Sequence, residues 1–211
     1  MSKPGADQTR QWFIVRRWQE FGGETRACLM RVLAITGFYI VQLFHHLNLA
    51  EPSVEDQKFH RYVTMIAAAW AFSAISTLLC LRKQFFPVYL PFVTTIIDLG
   101  LLTVLAALGS GPFSPLTRVY FLLIVLSAIR FNLPLIWSAT IGSMAGYMSL
   151  VGIADEKWFD PQHAVAPLEQ LVTLLALGLT GMFVGQIIRR VPQLAFEFER
   201  RMASKRKADV S

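Results

Sequence analysis

Apolar residues in this chain gather into six runs, at residues 32–50, 62–81, 86–108, 113–129, 133–153 and 165–188. A helix crosses the hydrocarbon layer of a bilayer in about 20 residues, so each run has the length of one crossing, the fourth being short. The pattern predicts an all-α integral membrane protein, a six-transmembrane-helix bundle. It divides the chain into a leader at 1–31, a membrane domain at 32–188 and a tail at 189–211. In the leader, Trp12, Phe13, Trp18 and Phe21 alternate with Arg10, Arg16 and Arg17. Apolar bulk beside cationic side chains suits a helix lying in the headgroup layer. Gly22 and Gly23 are then expected to break that helix ahead of the first crossing.

The polar residues between the runs set an orientation, because Lys and Arg near membrane ends are retained on the cytoplasmic side. Of the 20 basic residues, Lys58, Arg61, Arg118 and Lys157 alone fall on the opposite side, among Glu51, Glu55, Asp56, Asp155, Glu156, Asp160 and Glu169. The rest, Arg26, Arg31, Arg82, Lys83, Arg130, Arg189 and Arg190 among them, share one side. N- and C-termini are therefore expected in the cytoplasm. Composition agrees: 54% of residues are hydrophobic and 16% charged, against about 25% charged in soluble domains. The net charge of +6 reads as attraction to anionic lipids on the cytoplasmic side rather than to nucleic acid.

Few residues carry candidate chemistry. Asp98 sits near the middle of the third run, roughly 15 Å from either surface, where a carboxylate must be protonated or partnered. The nearest partner in depth is Arg118, at the start of the adjacent fourth run. A role in sensing or polar ligand binding and a purely structural tie are both open to the pair. His45 and His46 are neighbours and point about 100° apart on a helix, which does not suit a shared metal. Cys28 and Cys80 have no metal-ligand spacing. Walker A, H-E-x-x-H and G-x-S-x-G sequences are absent, so neither enzymatic activity nor a cofactor is expected. Gly142, Gly146, Gly181 and Gly185, at small-xxx-small spacing, are candidates for close helix packing. The same spacing admits a homodimer.

Between Asp98 and Val151 the order Asp98, Gly109, Gly111, Ser114, Pro115, Tyr120 resembles the six-helix N-terminal membrane module of bacterial sensor histidine kinases, including the type IV pilus sensor kinases. Phe113 precedes the Ser-Pro pair, where the family pattern has it after, and Leu116 stands in that place. The resemblance implies a sensor module of the bacterial inner membrane, in a signal-transduction setting like a two-component system. Asp98, Arg118, Ser114 and Tyr120 would then face a ligand or stimulus, with His45 as an outlying candidate. No histidine follows His163 and no nucleotide-binding region follows the sixth run, so output is expected to pass to a protein partner: a kinase, a cyclase or a membrane complex. An accessory subunit of a larger complex and a small proton-coupled transporter are the other classes the residues allow.

Overall fold

A computed structural model describes residues 6–48, 53–83, 87, 89–154 and 165–208, with side chains described between 21 and 191 except at position 55. Among these residues there is no strand. Six α-helices follow in order: α1 (Ala6–Leu47), α2 (Val54–Arg82), α3 (Leu90–Leu108), α4 (Val119–Ala128), α5 (Leu133–Ala154) and α6 (Pro167–Ala208). Two short 310 turns, Gly111–Phe113 and Pro115–Arg118, lead into α4. Five helices are long and apolar enough to cross a membrane, and Pro115–Ala128 is a shorter apolar helix. Consecutive helices run in opposite directions. The links after α1, α3 and α5 therefore gather at one end, called distal here, and the start of α1 and the end of α6 lie towards the other, proximal end.

Each helix buries one stripe. On α5, Leu135, Ile136, Ala139, Thr140, Ser143, Tyr147, Leu150 and Val151 recur every three or four residues and are buried, the signature of a single packed face. That face makes α5 the centre of the bundle, against α3, α4 and α6. Leu33, Val41 and Phe44 on α1 and Leu168, Leu175 and Phe183 on α6 are exposed, as lipid-facing positions are. Small residues let the central helices close. A Cβ on Gly142 would meet Leu99 Cδ1 at 2.5 Å, and one on Gly146 would meet the hydroxyls of Thr103 and Tyr120 at 2.8 Å. Gly181 faces Thr140, and a Cβ on Gly185 would lie 3.3 Å from Leu133 Cδ1. All four glycines thus abut neighbouring helices of the same chain.

Two features differ from expectation. First, α1 runs unbroken through Gly22 and Gly23. Gly23 does not end a helix but lets it approach: a Cβ there would lie 3.1 Å from Arg130 Cα and 3.1 Å from Ile129 O, whereas Gly22 has open space around it. Glycine costs a helix about 1 kcal/mol relative to alanine, a penalty the close contact with the α4–α5 link outweighs. Gly22→Ala is therefore expected to stabilise the protein by up to about 1 kcal/mol. Gly23→Ala should instead destabilise it by about 1–3 kcal/mol, because backbone has to yield. Thermal unfolding of the two variants in detergent checks this, and equal shifts would contradict it. The interfacial placement expected for 9–21 rests, apart from the exposed Phe21, on side chains outside the described residues, as does the solvated His163.

Second, Arg31 and Arg130 are not surface charges. They are 2% and 5% exposed, so neither contributes to the basic surface at the proximal end. Arg130 follows the shortest helix, in a link where Phe131 takes a left-handed φ of 51° and its N–H bonds Ala128 O at 2.9 Å. That turn ends α4 early and leaves Arg130 within the bundle.

Candidate functional site: a charged seam beneath a distal cavity

The middle of α1 carries Glu24, Ala27, Cys28 and Arg31 on one buried face, spaced as i, i+3, i+4 and i+7. Two of the four are charged, and each meets an opposite charge from another helix or link. Arg31 Nη2 lies 2.7 Å from Asp98 Oδ2, with both side chains 2% exposed. Asp98 Oδ1 accepts a hydrogen bond from Trp70 Nε1 at 2.6 Å. A single carboxylate at mid-α3 therefore joins α1, α2 and α3. Arg31 Nε and Nη1 have no hydrogen-bond partner among the described residues, so Asp98 is the direct ion-pair partner of the guanidinium there, with Glu24 a more distant counter-charge.

Two turns nearer the proximal end, Arg130 Nε lies 2.8 Å from Glu24 Oε2, and Nη2 donates to Glu24 Oε1 at 3.0 Å. The same guanidinium donates to Thr94 Oγ1 at 3.2 Å, Thr95 Oγ1 at 2.7 Å and Pro91 O at 3.1 Å. Planar and forked, an Arg side chain can serve this many acceptors at once. Pro91 is suited to the first turn of α3 because its ring removes a donor that has no partner there. Its carbonyl gathers Thr94 and Thr95 as well as Arg130. Two acids and two bases thus form a neutral seam along α1, inside an otherwise apolar bundle.

Above Arg31 the packing of α1 changes. No residue of 32–48 is buried, and a cavity of about 590 Å³ lies between the distal halves of α1, α2 and α3 and the turn after α3. Ile35, Val63, Ala67, Trp70, Leu102 and Leu105 line its inner part. Gln42, His45, His46, Asp56, Ser110 and Ser114 supply polar groups towards the distal rim, and the Tyr39 hydroxyl lies deeper on α1. Trp70 belongs to both features. Its ring lines the inner end of the cavity, and its N–H holds Asp98. The α1–α2 side is closed at two levels, by a 3.4 Å hydrogen bond between the Tyr39 and Thr64 hydroxyls and by the His46 and His60 rings, stacked 4.1 Å apart. At the rim, Ser53 caps α2 and forms a reciprocal capping box with Asp56.

The sequence candidates therefore separate. Ser114 and His45 line the cavity, and Asp98 lies behind its inner wall through Trp70. Arg118 is not the partner of Asp98: it is exposed on the 310 turn, and Arg31 holds the carboxylate. A side chain at the start of α4 is displaced towards the distal end, whereas α1 brings its guanidinium to the depth of Asp98. Tyr120 is fully buried and shares a 2.7 Å hydrogen bond with Thr103, among the helices rather than at the cavity. Arg31, Glu24, Arg130 and Trp70 were absent from the sequence candidates. The signal for the first two was the seven-residue spacing of opposite charges on the stripe that also holds Ala27 and Cys28. The Cys28 thiol donates to Ala74 O at 3.4 Å, a packing contact, and no cluster of three metal-ligating side chains occurs among the described residues.

Comparison with protein-family models, with curated proteins and with solved structures found no match. The resemblance to sensor-kinase membrane modules rests on the residues between Asp98 and Val151 that carry it.

Proposed function

We propose that this chain is a non-enzymatic, sensor-like module of the bacterial inner membrane, with the distal end outside and both termini in the cytoplasm. A stimulus in the distal cavity is passed to a cytoplasmic protein partner such as a kinase, a cyclase or a larger membrane complex. The observation that carries this reading is the double use of Trp70, which lines the cavity and hydrogen-bonds the carboxylate that holds α1. Whatever moves the indole changes the Asp98–Arg31 contact, and α1 continues from Arg31 to Ala6 at the proximal end. At about 1.5 Å per residue, α1 and α6 are each about 63 Å long, twice the thickness of the hydrocarbon layer. Both therefore reach past the membrane where a partner can read them.

Among the described residues this cavity ends at the level of Ile35 and Trp70, which suits a receiver at the distal end.

Spin labels on Arg26→Cys and Arg189→Cys, in a chain with Cys28 and Cys80 replaced by alanine, test the coupling. Filling the cavity with Ala67→Leu or Ala67→Trp is expected to shift the α1–α6 distance by about 1–2 Å, the scale of helix shifts in switching proteins. Trp70→Phe, which lacks the N–H, should suppress that shift. Identical distances in all these variants, in lipid nanodiscs, would refute the proposal.

A further inference from the structure

The distal cavity has a graded chemistry that points to one kind of occupant. Its inner end is hydrocarbon and indole, its free polar side chains gather towards the rim, and the Tyr39 hydroxyl partway along is taken up by Thr64. Along α1, Ile35 lies about 17 Å from His46, and along α2, Trp70 lies about 21 Å from Asp56, at 1.5 Å per residue. One leaflet of a bilayer is about 15 Å deep, so the cavity runs from a membrane surface to about the midplane. Its volume of about 590 Å³ falls in the usual range for a small-molecule site. A transmembrane helix about 10 Å wide fills roughly 1,300 Å³ over the same depth, more than this space holds.

We propose that the cavity binds one single-chain amphiphile from the leaflet at the distal end. The hydrocarbon chain lies against Ala67, Leu102 and Trp70, and the polar head lies among Gln42, His45 and Asp56. The Tyr39–Thr64 bond and the His46–His60 stack close the seam between α1 and α2. A volume of about 590 Å³ has room for one hydrocarbon chain with its head rather than for two chains, which selects a one-chain ligand. Burying a chain beside Trp70 places apolar surface on the residue that holds Asp98. The assignment deepens the sensor reading by naming its ligand class, and it rests on that reading for its consequence though not for the binding itself.

Quenching of Trp70 fluorescence tests it. In a chain whose Trp12, Trp18, Trp137 and Trp158 are phenylalanine, held in phosphatidylcholine nanodiscs, a lysophosphatidylcholine brominated near its chain end is the probe. A saturating loss of Trp70 emission is expected, reversed by unbrominated lysophosphatidylcholine and absent in Ala67→Phe. Phosphatidylcholine brominated at the same depth should quench far less, since Trp70 is only 8% exposed. Equal quenching by the two lipids, or a loss that unbrominated lysolipid does not reverse, overturns the proposal, with or without a folded Ala67→Phe variant. The two readings fail separately. Binding without the α1–α6 distance shift removes the sensor and keeps the site, whereas a shift in Ala67→Leu without lysolipid binding removes the ligand and keeps the sensor.

Discussion

Asp98→Asn is expected to destabilise the folded bundle by about 3–5 kcal/mol, the usual effect of removing one partner from a buried ion pair. The loss comes mainly from what is left behind. Asparagine keeps an oxygen for the Trp70 N–H, so the α2–α3 contact survives. Arg31 then remains a buried cation without the direct ion pair it made to Asp98 Oδ2, and Glu24, the other nearby acid among the described residues, is already bound to Arg130. Adding Arg31→Met should recover most of the loss, because a buried pair replaced by apolar volume is often neutral in stability. Thermal unfolding in detergent of the two single variants and the double variant measures this, and a double variant no more stable than Asp98→Asn would show that the charge pair is not the cause. The double variant also separates two roles for Asp98. If the pair is only a tie, the α1–α6 distance still responds when Ala67→Leu fills the cavity. As a link in transmission, the pair is required, and the response should vanish from a chain that folds normally.

How much of this was readable beforehand depends on where each charge lies relative to its apolar run. The runs gave the helices, and the position of Asp98 at the centre of one singled it out as a residue needing a partner. The partner itself was misread. Arg31 stands one residue before the first run and Arg130 one residue after the fourth, where a charge ordinarily belongs to a membrane surface. Hydropathy has no means to register that α1 is already packed by Gly23, or that α4 ends early at a turn through Phe131. Both shifts draw end-of-run charges into the bundle, and neither costs hydrophobic length. Gly22–Gly23 failed for a related reason. The same residue that loosens an isolated helix permits a close approach between helices, and only the position of the Arg130 backbone decides between the two uses. Arg118 was favoured because a tight turn makes α3 and α4 neighbours, but adjacency does not provide depth. The cavity had no sequence signal beyond the spread of Gln42, His45 and Ser114, since it arises from the absence of buried residues on the distal half of α1.

Arg130→Met is the second large effect expected, again about 3–5 kcal/mol, with a different structural consequence. The side chain has no equal among the described residues for reach, binding Glu24 through two nitrogens and the first turn of α3 through Thr94, Thr95 and Pro91 O. Methionine fills much of the volume but strands the buried Glu24 carboxylate. Arg130→Lys keeps the charge on a point donor that cannot serve both Glu24 and α3, so it should fall between wild type and Arg130→Met. Arg130→Met with Glu24→Gln should regain part of the loss, as the neutral amide can still bond Thr94. The interaction with the other pair is the stronger test. Glu24 and Arg31 lie on one face of one rigid helix, and apart from its hairpin with α2, α1 touches the bundle chiefly through that face. Once either pair is broken, the other holds less, so Arg130→Met and Arg31→Met together should cost less than the sum of the two alone by about 0.5–3 kcal/mol. Additive losses would mean that α1 is fixed at two independent points. A less-than-additive loss would mean that it docks and releases as a unit, as a helix carrying a signal from Trp70 to the proximal end must do.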